Sequence, residues 1–439
     1  MWSYFLYTLL TYLALPWAFW RLKKKALKDP AYADHWSERR GILNFTAQDV
    51  IWIHAVSLGE SIAAVPLINM LLNNHPNSTF LITAMTPSGR AHIKKIYKQE
   101  PRIKQAYLPY DAPMYIRRFL SAIQPKILIL FETELWPQWI KILHQKNIPI
   151  VLTNARLSIK SFLNYERFKF LSRPMLNALS LTLVQTEEEA DRFISLGQPK
   201  EKVITTGSIK FDRPLPADLS AQAAPWEQVL KNKWIWTAGS THAGEEAYLL
   251  DAHEHLLQKN PEALLILAPR HIERAVEIKK LIQERNLKIL LRSEISEISE
   301  ISEIKSRTDQ ILQETQVLLI DTLGELLLFY KLGQVAFVGG SLIPRGGHNL
   351  LEPAALKKPI LSGEHIFNFE RIAYLLAASG GLKIIKNPAQ LFLYLWALAD
   401  PNSGHYPERI EKMGQANFEV VQANQGAIQR QVAWIEKFL

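Results

Sequence analysis

Glu60 is the first of several charged or polar side chains that follow apolar runs in this sequence. It comes four residues after the run Ile51–Val56, at the predicted start of a helix. A single carboxylate in that position more commonly complements the dipole of the helix N-terminus. Others in the same kind of position are Thr86–Arg90, Glu132, Glu134, Asn154, Arg156 and Lys210. Charged groups after so many runs exceed what capping requires, so we treat them as candidate functional residues.

The second half of the sequence offers groups suited to an anionic ligand. Gly239 and Ser240 open a loop before a predicted helix, where backbone N–H groups can capture a phosphate. Arg270 carries a guanidinium that can grip a phosphate in two places. The segments 323–325 and 349–352 offer hydrogen-bonding groups for a ribose and a base. Together these features predict a nucleotide-binding half.

The stretch Val335–Leu356 joins an apolar run to glycine pairs at 339–340 and 346–347. Such a strand, glycine loop and helix point backbone N–H groups and a positive dipole end at an anion. Asn349 and Glu352 lie at capping-box spacing, so an ordinary helix cap stays open as the alternative. The spacing matches neither G-x-G-x-x-G nor a Walker A loop, so the prediction of nucleotide binding depends on the other segments.

The composition excludes several classes of protein and site. The 439 residues are 48% hydrophobic and 21% charged, which is typical of a globular chain of two or three domains. The absence of cysteine rules out disulfides and thiolate metal sites, and it suits a reducing compartment. The 12 histidines form no HExxH arrangement, and His253 and His255 point to different faces of a predicted helix. We therefore expect no metal ion and no cofactor.

The uneven charge indicates an anionic partner. Residues 1–215 carry 28 Lys and Arg against 16 Asp and Glu, although the formal charge of the whole chain is only +9. No nucleic-acid-binding motif accompanies this basic half, so the sequence favours an acidic lipid surface over nucleic acid.

The segment Trp2–Trp20 supports the lipid interpretation. It has no charged residue, carries Trp and Tyr at both ends, and as a helix of about 19 residues reaches roughly 28 Å, close to the thickness of a bilayer core. The cations that follow it are Arg21, Lys23, Lys24, Lys25 and Lys28. A cleaved signal peptide is not indicated. Three alternatives stay open: a spanning helix with the rest of the chain in the cytosol, a helix in the membrane interface, and a helix packed on the soluble body.

Apolar runs recur roughly every 25 to 30 residues with helical patterns between them, which predicts doubly wound α/β domains on parallel sheets. The predicted divisions are an anchor at 1–25, a first domain at 26–212, a linker at 213–225, a second domain at 226–406, and a helical stretch at 407–439 that is a candidate to return to the first domain. The four SEI repeats of Ser293–Ile304 predict an enlarged loop or a frayed helix without chemistry.

An ordered series of motifs resembles the Kdo transferases of lipopolysaccharide assembly. The matching blocks are HAVSLGE, TPSGR, ETELWP, NARLS, GSIKFD, GSTHAGEE, APRH, DTLGEL and GGHNLLEPAA. The resemblance extends over essentially the whole chain, and the SEI run is its main departure. It implies a GT-B fold, in which two Rossmann-like domains face a central cleft. The implied reaction moves Kdo from CMP-Kdo to a tetra-acylated lipid A precursor that bears two phosphates.

The resemblance also implies roles for particular residues. Glu60 would be the general base, and Glu132 and Lys210 would stabilise the transition state. The residues implied for CMP are Pro269, Arg270, Leu323, Gly324, Glu325, Asn349, Leu350, Leu351 and Glu352. We therefore expect an inverting, metal-independent glycosyltransferase on the cytoplasmic side of the inner membrane. Its rivals are a nucleotide-sugar epimerase or hydrolase of the same plan and a non-catalytic membrane scaffold.

Overall fold

The computed structural model divides the chain into two compact units. The described residues are 2–295, 310–400, 402 and 406–439. Unit 1 comprises Met1–Arg213 together with Asn424–Leu439, and unit 2 comprises Pro214–Ala423. Each unit is built on its own seven-stranded sheet.

The sheet of unit 1 reverses its strand order next to its first strand. Its strands are β1 (Ala47–His54), β2 (Phe80–Ala84), β3 (Ile103–Tyr107), β4 (Ile123–Phe131), β5 (Ile150–Ala155), β6 (Leu181–Val184) and β7 (Val203–Thr205). They lie in the order β3-β2-β1-β4-β5-β6-β7, and all neighbours are parallel. The order reverses between β1 and β4, and open parallel sheets bind ligands outside the carboxyl ends of their strands at such a point.

Both faces of this sheet are buried. Leu128 and Leu130 of β4 belong to one apolar cluster, whereas Ile127 and Ile129 belong to another. Successive side chains of a strand point to opposite faces, so helices must cover the sheet on both sides. The helices of the first 213 residues are α1 (Trp2–Ala26), α2 (Leu58–Asn74), α3 (Pro87–Ile96), α4 (Pro113–Ala122), α5 (Pro137–Gln145), α6 (Ile159–Arg167), α7 (Lys169–Asn177) and α8 (Glu187–Ser195).

The sheet of unit 2 is also parallel, with a similar reversal. Its strands are β8 (Trp234–Thr241), β9 (Ala263–Pro269), β10 (Ile289–Leu291), β11 (Val317–Leu319), β12 (Val335–Val338), β13 (Ile360–Gly363) and β14 (Leu382–Ile385). They lie in the order β10-β11-β9-β8-β12-β13-β14. The reversal falls between β8 and β12, so the loops that follow these two strands are expected to hold a ligand.

Helix α9 (Leu219–Val229) begins inside the range 213–225 that the sequence assigns to a linker. Leu219, Ala223 and Trp226 are buried at helical spacing, so packing of this face stabilises the helix in spite of Pro225 within it. The irregular connection is therefore shorter than predicted.

The remaining helices follow in chain order. They are α10 (Glu245–Leu257), α11 (Ala275–Gln283), α12 (Leu326–Leu332), α13 (Leu351–Ala355), α14 (Glu370–Ala378), α15 (Pro388–Ala399), α16 (Tyr406–Asn424) and α17 (Ala427–Ile435), and residues 310–314 are also helical. Asp212 fixes α17 within unit 1, because its two carboxylate oxygens accept from Gly426 N and Ile428 N at 2.6 Å each. Of the predicted closing stretch, only the part from Asn424 belongs to unit 1.

The SEI run lies mostly outside the described residues. Ser293 and Glu294 belong to the 3₁₀ helix Arg292–Glu294, and Ser293 N donates to Asp321 Oδ1 at 2.9 Å. The prediction of an enlarged loop or frayed helix applies mainly to residues 296–304, which lie outside the described part of the chain.

Helix α1 packs one face on unit 1. The Tyr7 hydroxyl donates to Asp111 Oδ2 at 2.8 Å, and Gln138 Nε2 donates to the Thr8 hydroxyl at 2.6 Å. Across the described residues, no helix has the length and apolar character needed to cross a membrane.

Candidate active site

Glu60 lies in the first turn of α2, close to the carboxyl end of β1. Its Oε2 accepts from Val56 N at 2.8 Å, and its Oε1 accepts from the Ser57 hydroxyl at 2.9 Å. Ser57, the N-cap residue, in turn accepts from Glu60 N at 3.4 Å through its Oγ, so Glu60 takes part in the hydrogen bonding of the helix start. The capping role that the sequence left as an alternative is therefore present. The same bonds hold the half-buried carboxylate in one orientation, and each oxygen keeps further capacity to accept a hydrogen bond.

Glu132 and Lys210 lie near this carboxylate. Burial raises the pKa of Glu132, the Glu60 carboxylate raises it further, and Lys210 opposes the rise. Burial lowers the pKa of the Lys210 ammonium, and Glu132 opposes that shift. These shifts mean that Glu132 lies within electrostatic reach of both Glu60 and Lys210. β1 and β4, which carry two of the three predicted catalytic residues at their ends, are neighbours at the reversal of the sheet.

The backbone around the site adopts unusual conformations that aim these groups. Glu132 has a φ of +60° and Asn154 a φ of +50°, both in the left-handed region. The buried Asn154 accepts from Ile209 N at 3.4 Å through its Oδ1, which fixes the segment that carries Lys210. Residues held in sparsely populated backbone conformations cluster at functional sites.

Glu134, a candidate residue for which the sequence analysis predicted no specific role, is a third carboxyl group at this site. Burial, with contributions from Glu60 and Glu132, raises the pKa of Glu134 to about 7. Tyr165 on α6 faces it, and burial together with Glu134 raises the pKa of that phenol to about 12. A carboxyl group that titrates near neutrality can hold or pass on a proton. The only sequence signal was its position two residues after Glu132, which does not reveal burial.

Gly239 and Ser240 lie within the last residues of β8, so the prediction that they open a loop is wrong, and it is the loop after them that lies next to Arg270. Arg270 N donates to Thr241 O at 2.9 Å, which joins this loop to the residue after Pro269 at the end of β9. Ser240 has a φ of +58°. A Cβ at Gly239 would lie 2.2 Å from the Tyr330 hydroxyl oxygen, so only glycine fits there. The Arg270 side chain is exposed, and among the described residues its guanidinium has no ion-pair partner.

The anion held by the first glycine loop of Val335–Leu356 belongs to the protein. Glu245 Oε2 accepts from Gly340 N at 2.7 Å and from His242 N at 2.9 Å. Its Oε1 accepts from Ser341 N and Leu342 N at 2.9 Å each. The prediction that these N–H groups bind a ligand anion is therefore wrong, because the buried Glu245 carboxylate already uses them.

The segment 349–352 also differs from its predicted cap. Leu350, not Asn349, occupies the N-cap of the five-residue α13, and Asn349 Oδ1 accepts from Leu351 N at 3.1 Å. Leu350 and Leu351 are buried, so their side chains belong to the core and only their backbone is available to a ligand. Glu352 contributes to the raised pKa of the buried Tyr330, whose main cause is burial, so it lies near Gly239.

The segment 323–325 follows β11 on the same edge of the sheet. Leu323 is 76% exposed, and a Cβ at Gly324 would meet no atom within 4 Å. The Glu325 carboxylate forms an ion pair with Arg292 at 2.9 Å and accepts from the Thr322 hydroxyl. Glu325 therefore already has protein partners, whereas Leu323 and Gly324 are open to solvent.

Three histidines for which no role was predicted lie in these loops. His242, His271 and His348 stand in the motifs GSTHAGEE, APRH and GGHNLLEPAA, each in a loop after a strand of unit 2. His242 Nε2 and His348 Nε2 are 2.8 Å apart, and the ring centroids of His242 and His271 are 5.7 Å apart. Within the described residues, no group of three or more His, Asp or Glu is arranged to hold a metal ion.

Two parallel α/β units with ligand-binding loops at their strand ends define a fold shared with nucleotide-sugar enzymes. The chain is similar to the crystal structure of UDP-GlcNAc 2-epimerase from Neisseria meningitidis bound to UDP-GlcNAc, with 17% identity and a TM-score of 0.55 over 89% of this chain and 100% of that one. The two units therefore resemble the GT-B fold of epimerases and glycosyltransferases.

Sequence relatives identify the family within that class. Residues 34–213 match the family model of 3-deoxy-D-manno-octulosonic-acid transferase (kdotransferase). The 3-deoxy-D-manno-octulosonic acid transferase of Haemophilus influenzae is 36% identical over 100% of this chain and 99% of its own length, and that of Bordetella pertussis is 33% identical over 89% and 87%. The chain belongs to the Kdo transferase family and is a glycosyltransferase. The scaffold alternative is therefore wrong, and the likeness to the epimerase is one of fold alone.

Proposed function

We propose that this chain transfers Kdo from CMP-Kdo to a tetra-acylated lipid A precursor bearing two phosphates, with inversion at the anomeric carbon. The observation that carries the proposal is the grouping of Glu60, Glu132 and Lys210 at the strand reversal of unit 1, in a member of this family. The fixed Glu60 carboxylate supplies a base for an acceptor hydroxyl. The nearby ammonium supplies positive charge for an anion that forms during the reaction.

The chemistry is a single displacement. Glu60 takes the proton of the acceptor hydroxyl while the oxygen of that hydroxyl forms a bond to the anomeric carbon of Kdo. The bond from that carbon to the phosphate oxygen breaks, and the electron pair leaves with CMP. Arg270 stabilises the phosphate charge, which is the role of a divalent ion in other transferases. Burial lowers the pKa of Lys210, and Glu132 partly offsets that shift because its carboxylate favours the charged ammonium.

Comparison of CMP release with and without the lipid acceptor tests this function against its rival. A transferase should release CMP from CMP-Kdo only when the acceptor is present. An epimerase or hydrolase would consume the donor at the same rate without it, and that result would overturn the proposal.

Replacing Arg270 by Ala should weaken CMP binding about tenfold, because an exposed charge-assisted hydrogen bond contributes about 1.5 kcal/mol. Titration calorimetry with CMP measures the effect, and cytidine, which has no phosphate, should bind both proteins equally. Lys280→Ala, which removes an exposed cation on α11, is the matched control and should leave CMP binding unchanged. Equal CMP affinity for Arg270→Ala and the unaltered chain would remove Arg270 from the phosphate site.

The lipid acceptor explains the outer face of α1. Phe5, Leu13 and Trp17 on this helix are 66%, 68% and 58% exposed, although its other face packs on unit 1. Five cations follow within residues 21–28. An apolar helix face flanked by cations binds the interface of an anionic membrane. We propose that α1 lies in the membrane interface, and that the chain acts on the cytoplasmic side of the inner membrane.

Replacing Leu13 by Asp should reduce binding to vesicles containing anionic lipid at least about tenfold. The change removes an apolar contact with the membrane interior and adds a negative charge that the anionic lipid repels. Vesicle co-sedimentation measures the bound fraction. Val276→Asp is the control, because Val276 is 82% exposed on α11 and should not affect binding. Undiminished binding of Leu13→Asp would contradict the interfacial role of α1.

A further inference from the structure

His242 and His348 form a hydrogen-bonded imidazole pair across the strand reversal of unit 2. Their Nε2 atoms are 2.8 Å apart, and their ring planes differ by only 7°. One loop follows β8 and the other follows β12, the two strands between which the order reverses. At this distance one Nε2 must carry a hydrogen and the other must accept it. The pair therefore occupies the position at which a parallel sheet of this kind binds its ligand.

The backbone at Gly340 leaves the space that the two imidazole rings occupy. Gly340 has a φ of +68°, and a Cβ there would lie 2.9 Å from His348 Cδ2 and 3.5 Å from His242 Cδ2. Glu245 holds this loop in place by accepting from Gly340 N and His242 N. Because one buried carboxylate fixes both loops, the separation of the two imidazoles is set by the fold.

Positive groups surround the imidazole pair. His271, Arg345 and Arg270 all face His242, and His271 and Arg270 also face His348. The one carboxylate that favours protonation of His242 is that of Glu246, which already forms an ion pair with Arg274 at 2.7 Å. A weaker contact joins His271 Nδ1 to Glu273 Oε1 at 3.5 Å. Among the described residues neither Arg270 nor Arg345 has an ion-pair partner, so the cluster carries positive charge that an anion would balance.

These surroundings keep the imidazole pair neutral while no anion is bound. Burial lowers the pKa of His348 to about 4, with His242, Arg270 and His271 adding to the shift. Burial also lowers the pKa of His242. A bound anion reverses the electrostatic part of this shift and raises the affinity of the pair for a proton. In the neutral pair two ring nitrogens have no hydrogen: the Nε2 that accepts within the pair, and the Nδ1 of the imidazole that donates, which is the one not used by the pair. An added proton goes to that Nδ1 and turns it into a donor for an anionic oxygen.

We propose that the His242–His348 pair, with Arg270 and Arg345, forms a proton-coupled subsite for the phosphate of the donor nucleotide. Binding of the phosphate is accompanied by uptake of one proton by the pair, and no covalent bond changes. This inference rests on the proposed use of a CMP-linked donor. It adds two positioning residues and a pH dependence to the nucleotide site, with the affinity for the phosphate rising as the pH falls below the bound-state pKa of the pair.

Calorimetric titration of CMP at about pH 6 in two buffers, MES and bis-Tris, measures the number of protons taken up on binding. Each proton taken up comes from the buffer, so the heat of buffer ionisation adds to the heat of binding in proportion to the number of protons. The CMP phosphate itself titrates near this pH. The contribution of the pair is therefore the difference between the unaltered chain and His348→Gln, whose amide nitrogen replaces Nε2. We expect the unaltered chain to take up about one proton more than His348→Gln and His242→Gln.

His255→Gln is the matched control, because His255 is an exposed histidine on α10. It should take up as many protons as the unaltered chain. If His348→Gln binds CMP and takes up as many protons as the unaltered chain does, the proposed subsite is overturned. Failure of CMP to bind any of these proteins would instead overturn the proposed donor. Inorganic phosphate, titrated in the same way, would then decide the inference. Proton uptake that depends on His348 would support the subsite, and phosphate binding without such uptake would overturn it.

Discussion

Replacing Glu60 by Gln should lower the rate of Kdo transfer at least ~10²-fold and leave CMP binding unchanged, because an amide cannot accept the proton of the acceptor hydroxyl. The glutamine side chain still offers an oxygen to Val56 N and a hydrogen-bonding group to the Ser57 hydroxyl, so both local contacts are kept. The substitution therefore separates the chemical role of Glu60 from its role as a helix cap. Initial rates of CMP release with saturating acceptor measure the effect.

Two further variants complete this comparison. Glu60→Ala removes the hydrogen bonds to Val56 N and to the Ser57 hydroxyl as well as the base, so it should lose about 1 kcal/mol of unfolding free energy that Glu60→Gln keeps. Glu187→Gln alters a carboxylate in the equivalent first turn of α8 and should not change turnover. Turnover of Glu60→Gln within a few-fold of the unaltered chain would leave Glu60 with the capping role alone.

Replacing Glu245 by Ala should lower the unfolding free energy of unit 2 by about 4 kcal/mol, because four backbone N–H groups lose their buried acceptor at once. The loops after β8 and β12 also lose the contact that joins them, so CMP binding should become too weak to measure. Urea denaturation followed by tryptophan fluorescence measures the first effect, and calorimetry measures the second.

Glu277→Ala is the matched control for this loss. Glu277 is a carboxylate of the same unit whose side chain is 68% exposed and which pairs with Arg274 at 3.1 Å, so its removal should cost under about 1 kcal/mol. A Glu245→Ala protein as stable as Glu277→Ala would show that water replaces the lost acceptor, and that the carboxylate does not hold the loops.

The central strands and the edge strands β7 and β10 could be predicted from the sequence, whereas the edge strands β3 and β14 could not. β1 and β4 are buried on both faces, so their apolar residues form continuous runs. The edge strand β3 was missed because Lys104 and Gln105 interrupt its apolar pattern. The other edge strand of this kind, β14, was missed because it has only four residues and one of them is Lys383.

The residue types of the site were predictable, but their partners were not. Glu60 and Glu132 come together only because β1 and β4 are neighbours in the sheet. The order of strands in a sheet cannot be predicted from the local spacing of residues. The glycine loop after β12 was recognised as an anion holder, yet the anion is Glu245, which lies 95 positions from Gly340 in the chain. The histidine pair was missed for the same reason, since its members are separated by 106 positions.

The central claim is that this chain attaches Kdo to the lipid A precursor with Glu60 as the base. The most direct measurement is mass spectrometry of the precursor after incubation with CMP-Kdo and either the unaltered chain or Glu60→Gln. We expect the precursor to gain the mass of one or more Kdo residues with the unaltered chain, and to remain essentially unmodified with Glu60→Gln over the same time. A precursor that stays unmodified with the unaltered chain, or that is modified equally by both proteins, would contradict the claim.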